Sequence, residues 1–163
     1  MNRRESLKVL AATVGGGSLG PALAAAVGNR VDWRDVTLLD GRTLPASALA
    51  GRVVVVEIWA SWCPFCARQN PLLQQLHEAK GGRGLEFLTF SIDREPAQAR
   101  AYMAKHKYTF PAAMATAQSD KWFGPREGLP ELYVVDRDGG IVFREAGEMF
   151  PEDMQALARY ARR

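Results

Sequence analysis

At 163 residues, with 47% hydrophobic and 24% charged side chains, the chain is large enough to bury a core and too apolar for disordered or fibrous classes. Its net charge of +3 depends on Arg3, Arg4, Glu5 and Lys8 at the N-terminus. Without them the balance is near neutral, so charge gives no footprint for nucleic acid.

Residues 1–26 read as an export signal, with a basic start followed by an uncharged stretch over residues 9–28. Arg3-Arg4-Glu5-Ser6-Leu7-Lys8 resembles the bacterial twin-arginine signal, with Ser6 where that pattern prefers an apolar residue. Ala22-Leu23-Ala24 and Ala24-Ala25-Ala26 are small-x-small cleavage sites. The competing reading is an uncleaved membrane anchor, which Gly15-Gly16-Gly17 and Pro21 disfavour because they make a poor spanning helix. Either way the expected location is the periplasm, with residues 27–163 forming one domain.

Within that domain, Asp40-Gly41 sits between two extended runs in residues 36–44, predicting a hairpin. Residues 53–60 are a continuous apolar run that includes four valines in succession, the pattern of a strand covered on both faces. Glu57 is its only charge. A helix is expected from Cys63 through Lys80, carrying Leu72, Leu73 and Leu76 at helical spacing, containing Pro71, and ending at Gly81-Gly82. A second buried strand spans 85–92, a helix 95–107, an extended segment 108–114 and a helical turn 119–123. Residues 132–135 and 141–144 form a hairpin across Asp136-Arg137-Asp138-Gly139-Gly140, and 151–162 a closing helix with Met154, Leu157 and Tyr160 inward. The alternation β-α-β-α-β calls for parallel pairing, so the fold class is α/β, a central mixed sheet flanked by helices with an N-terminal β-hairpin extension.

The chemistry lies in Cys63-Pro64-Phe65-Cys66, which holds the only two cysteines. A strand that feeds a Cys-x-x-Cys at a helix start gives one thiol the free N–H groups and positive dipole end that favour its thiolate. Pro64 suits the first helical position, where its missing N–H costs nothing. Cys63 is thereby the attacking nucleophile, and Cys66, one turn on, is the resolving thiol that closes the redox-active disulfide. Glu57, six residues before Cys63, is a carboxyl in a buried strand, so its pKa should be raised, and it is placed under the active-site turn to take the Cys66 proton through a water. The bland alternative for Glu57 is a carboxylate satisfied by a lysine or by backbone donors. Trp62 and Phe65 read as an apolar rim for substrate docking, against a packing role for Trp62.

Trp59-Ala60-Ser61-Trp62-Cys63-Pro64-Phe65-Cys66 resembles the active site of the thioredoxin superfamily. With the preceding hairpin and Gly128-Leu129-Pro130-Glu131-Leu132-Tyr133-Val134-Val135-Asp136, the chain is similar to the exported TlpA/ResA/DsbE-like thiol-disulfide oxidoreductases. The resemblance implies a thioredoxin-like fold, no cofactor, and a cis-proline loop at Pro130 facing the disulfide, with the Leu129 backbone binding substrate as an added strand. It also implies protein thiol or disulfide substrates, among them apocytochrome c or copper-site cysteines, and a membrane electron donor of the DsbD/CcdA type. The leading expectation is a periplasmic reductase serving cytochrome c biogenesis or metal-site cysteines. Because Pro64-Phe65 matches neither Gly-Pro of reductant thioredoxins nor Pro-His of the oxidant DsbA, oxidation or isomerisation of folding proteins is the runner-up.

Other classes fit less well. A structural disulfide would close a very short loop and stabilise little. Zinc would need His77 and His106, both read as ordinary surface residues, so no metal is expected. A copper-delivery protein of the Sco type, which shares this fold, would want one more residue between the cysteines and a histidine near Pro130. A peroxiredoxin would want Thr-x-x-Cys.

Overall fold

The structure, a computed structural model, describes residues 29–162. The expected leader at residues 1–26 lies outside them.

Val54–Trp59 (β3) is the centre of a five-stranded sheet ordered β5-β4-β3-β6-β7. Glu86–Ser91 (β4) runs parallel to it and Ala112–Met114 (β5) parallel to β4; Glu131–Val135 (β6) and Ile141–Ala146 (β7) add antiparallel on the other side. Every residue of β3 is buried, Glu57 included, as a run apolar but for that one charge predicts. Pro64–Lys80 (α1) and Pro96–His106 (α2) are the crossovers that parallel pairing demands.

Side-chain alternation along β3 divides the core. Val54, Val56 and Ile58 pack with Leu88, Phe90 and Tyr133, under Trp122 and Phe123 of Ala117–Phe123 (α3) and Leu38 of the N-terminal hairpin. Val53 and Val55 face Leu73 and Leu76 of α1, Leu132, Val134, and Met154 of Pro151–Ala156 (α4). Each such fully buried aliphatic side chain contributes about 1.5–3 kcal/mol. A third cluster joins Trp59 and Ala60 to Cys63, Cys66, Ala99 and Ala112 at the end of β3.

The hairpin forms with only two residues per strand, Val36–Thr37 (β1) and Thr43–Leu44 (β2). Its turn runs from Leu38 to Gly41, whose φ of 86° only glycine adopts readily, and is longer than the two-residue turn that Asp40-Gly41 suggested. The Leu39 N–H donates to the Ala112 carbonyl, so the hairpin covers the β5 edge.

Two expectations change. The closing helix is α-helical only to Ala156 and continues as a 3-10 helix, Leu157–Arg162, though Met154, Leu157 and Tyr160 are buried as expected. His77 is half-buried rather than an ordinary surface residue: it follows Leu73 by four positions on α1 and sets its ring edge-on to Phe87, with centroids 5.0 Å apart. Burial lowers its pKa. His106 is exposed and stacks on Tyr108.

Candidate active site

The turn between β3 and α1 is held by residues that sequence reading passed over. The Ser61 N–H and hydroxyl both reach the Asp93 carboxylate, at 3.1 and 2.8 Å, and Asp93 also accepts from the Ser91 hydroxyl at the end of β4. Asp93 is buried and ties the ends of the two central strands together beneath the turn. Trp59 is fixed by its indole N–H donating to Thr89 Oγ1 at 3.0 Å.

Cys63 is the N-cap of α1, with Pro64 at the first helical position. Its Sγ accepts the Cys66 N–H at 3.3 Å, so the sulfur occupies the place where a helix N-terminus stabilises negative charge. Cys63 is 4% exposed and Cys66 fully buried. Both are reduced thiols. Burial, and then the hydrogen bond to Cys63, pushes the Cys66 thiol well above its ordinary range. The two cysteines thus differ in position, Cys63 capping the helix and Cys66 sealed one turn inside it.

The Leu129-Pro130 peptide is cis, and the Leu129 carbonyl lies 3.8 Å from Cys63 Sγ as a weak acceptor. The Pro130 carbonyl accepts the Gly147 N–H. Pro64, next to Cys63 in the chain, is exposed, as are the rings of Trp62 (63%) and Phe65 (50%). Arg68 stacks its guanidinium 4.7 Å above the Phe65 ring and binds Glu148 with two nitrogens.

Glu57 is completely buried, and among the described residues neither lysine nor backbone satisfies it. Gln69 Nε2 donates to Oε2 at 3.3 Å. Asn70, with its amide nitrogen turned toward the two acceptors, donates to Oε1 at 2.7 Å and to the Cys66 carbonyl at 3.1 Å. Burial pushes the Glu57 pKa up to about 8, against the lowering effect of the Gln69 amide. Asn70 therefore links the acid to the Cys66 main chain. Gln69 and Asn70 were legible in principle: Cys66, Gln69, Asn70 and Leu73 are an i, i+3, i+4, i+7 stripe, and all four are buried. Their polarity hid the stripe.

A further buried acid, Glu131, follows the cis-proline. It accepts from Arg144 at 2.9 Å, the Glu127 N–H at 2.8 Å and the Tyr133 hydroxyl at 3.0 Å. Among the described residues no group of three or more His, Cys, Asp and Glu side chains is placed to hold a metal.

The chain matches the family model described as Redoxin over residues 26–159. Curated relatives include the thiol-disulfide oxidoreductase ResA of Bacillus thuringiensis (strain Al Hakam), 25% identical over 127 residues, covering 76% of this chain and 72% of that protein. The thiol:disulfide interchange protein DsbE of Allochromatium vinosum is 28% identical, with 73% of this chain and 67% of that protein covered. Among solved structures, a thiol:disulfide interchange protein of the thioredoxin family from Chlorobium tepidum TLS superposes with a TM-score of 0.75 at 22% identity, covering 82% of this chain and 96% of that one. That likeness establishes the thioredoxin-like fold.

Proposed function

The chain belongs to the Redoxin family and is a thiol-disulfide oxidoreductase of the ResA/DsbE type, and from that premise we propose that it works in the periplasm as a reductase of protein disulfides. The observation that carries this reading is the asymmetry of its two thiols. Cys63 sits at the helix N-terminus, near the rim, and Cys66 is sealed against the amides that hold Glu57.

The proposed cycle follows from that asymmetry. The Cys63 thiolate attacks one sulfur of the substrate disulfide, forming a mixed disulfide and expelling the other sulfur as a thiolate. Cys66 then loses its proton toward ionised Glu57 and attacks Cys63 Sγ. The mixed disulfide breaks, the second substrate sulfur leaves, and two electrons have passed from the Cys63/Cys66 pair to substrate. Glu57 is suited to the proton step because its pKa lies near the working pH, between a carboxylate too weak and a thiol too basic to serve. The substrate backbone runs along Leu129 and Pro130 while Trp62, Pro64 and Phe65 supply apolar contact. A membrane donor of the DsbD/CcdA type restores the dithiol, and apocytochrome c or copper-site cysteines are the proposed substrates. Residues 1–26 deliver the domain to the periplasm; among the described residues no helix is long and apolar enough to cross a membrane.

Insulin reduction tests the assignment of roles. Cys63→Ser should abolish turnover, and Cys66→Ser should accumulate a mixed disulfide seen by mass on non-reducing gels. Turnover by Cys63→Ser would overturn the choice of nucleophile. A potential near about −270 mV against glutathione fits a reductant, and one near about −120 mV would reverse the direction of flow.

A further inference from the structure

Gln69 is fully buried on α1 between two partners. Its Oε1 accepts the Met149 N–H at 2.6 Å, and its Nε2 donates to Glu57 Oε2. An amide has one acceptor end and one donor end. Because the Met149 N–H can only donate, it takes the oxygen of Gln69 and leaves the nitrogen facing Glu57. The orientation of the Gln69 amide is thus set by the loop ahead of α4, eighty residues away in the chain.

The same loop is clasped to α1 a second time. Arg68, next to Gln69, pairs with Glu148, next to Met149, and this outer contact is partly exposed while the inner one is buried. Arg68 also covers Phe65 at the rim. The groups facing Glu57 are few: Gln69, Asn70 and Cys66 from α1, and the phenols of Tyr102 on α2 and Tyr108 before β5. None is a cation, and Glu131 and Tyr133 alternate to the opposite face of the sheet from Leu132, which pairs with Glu57. Among the described residues the donors to the Glu57 carboxyl are the Gln69 and Asn70 amides.

We infer that Gln69 is a positioning residue for the thiol chemistry: oriented by the Met149 main chain, it keeps a donor on Glu57 and so sets the proton affinity of that acid. The inference rests on the reading that Glu57 exchanges a proton with Cys66. Without the donor, the carboxylate loses a charge-assisted hydrogen bond in a site without water-like screening, and the neutral acid gains. Gln69 acts through Glu57 and touches neither sulfur nor substrate.

The test follows the Glu57 carboxyl by 13C NMR in the reduced full chain, alongside the pH profile of Cys66 alkylation in a Cys63→Ser background. Gln69→Leu removes the donor and should move the Glu57 midpoint upward by about one pH unit, with the alkylation profile following. Gln69→Glu keeps an acceptor for the Met149 N–H but sets a second carboxyl against Glu57, and should move the Glu57 midpoint up further. This variant preserves the test if Gln69→Leu fails to fold. A Glu57 midpoint unchanged in either folded variant would overturn the inference, since a merely structural glutamine would lower stability and leave the titration in place. A carboxyl midpoint that moves while the alkylation profile stays would leave Gln69 as the residue that sets the proton affinity of Glu57, but would overturn its part in the thiol chemistry together with Glu57 as the proton partner of Cys66.

Discussion

Two buried carboxylates occupy neighbouring positions at the centre of the sheet, Glu57 on β3 beside Ile58, and Glu131 on β6 paired with Ile58. Both are wholly inaccessible to solvent. Glu131 faces Arg144, whose side chain is 5% exposed, and the pair is completed by a backbone N–H and a phenol. Glu57 faces two carboxamides. Burying an acid is costly in either place, and the surroundings decide what becomes of the cost. A counter-charge holds the acid in an ion pair that braces the Glu127 to Glu131 loop against β7. Neutral donors leave the acid poised near pH 8 and free to change its charge. The first is architecture and the second suits catalysis, and the two sit on opposite faces of one strand pair.

The comparison breaks most violently at Arg144. Arg144→Met leaves Glu131 buried without its cation and should cost about 3–5 kcal/mol, read as a lowered denaturant midpoint. Replacing both partners, Glu131→Leu with Arg144→Leu, should restore most of that loss, because no uncompensated charge remains. If the single variant unfolds at the parental midpoint, the ion pair is not structural.

Glu57→Gln should act in the other direction. The folded pKa of Glu57 is raised to about 8 from an ordinary 4.5, so in the parent the unfolded chain ionises first and stability falls as pH rises from 4.5 to 8. The variant should lack that decline and be the more stable of the two at pH 8, by an amount read from urea unfolding across the window. It should also slow release of the mixed disulfide. A parental stability that is flat between pH 4.5 and 8 would show that Glu57 is not held neutral.

The smallest expected effect on stability comes from the rim. Phe65→Ser and Trp62→Ser change exposed side chains and should leave the unfolding midpoint within about 0.5 kcal/mol of the parent. KM for a protein disulfide should rise several-fold with kcat nearly unchanged. Equal loss in kcat would mean that these rings serve the chemistry of the cysteines below them.

Much of this was readable before any coordinates. The strand at 53–60, the helix that begins beside Cys63 and the lone Glu57 in an apolar run all follow from short-range pattern. The surroundings of Glu57 did not follow, because a buried Gln or Asn on a helix has the same letter as an exposed one. Asp93 was missed for a similar reason: only the parallel pairing of β3 with β4 brings it under Ser61. The cis state of Leu129-Pro130 rested on resemblance alone, since the dipeptide itself does not favour it.

The sequence by itself determined the order of strands and helices, the spacing of the two cysteines and which of them caps a helix, because these depend on neighbours within a turn or two. Tertiary structure decided the surroundings of the two acids. Arg144 reaches Glu131 across a hairpin, and Met149 orients Gln69 from eighty residues away. Both partners arrive through long-range packing, where the free energy of a buried charge is set by whichever donors the fold delivers to it.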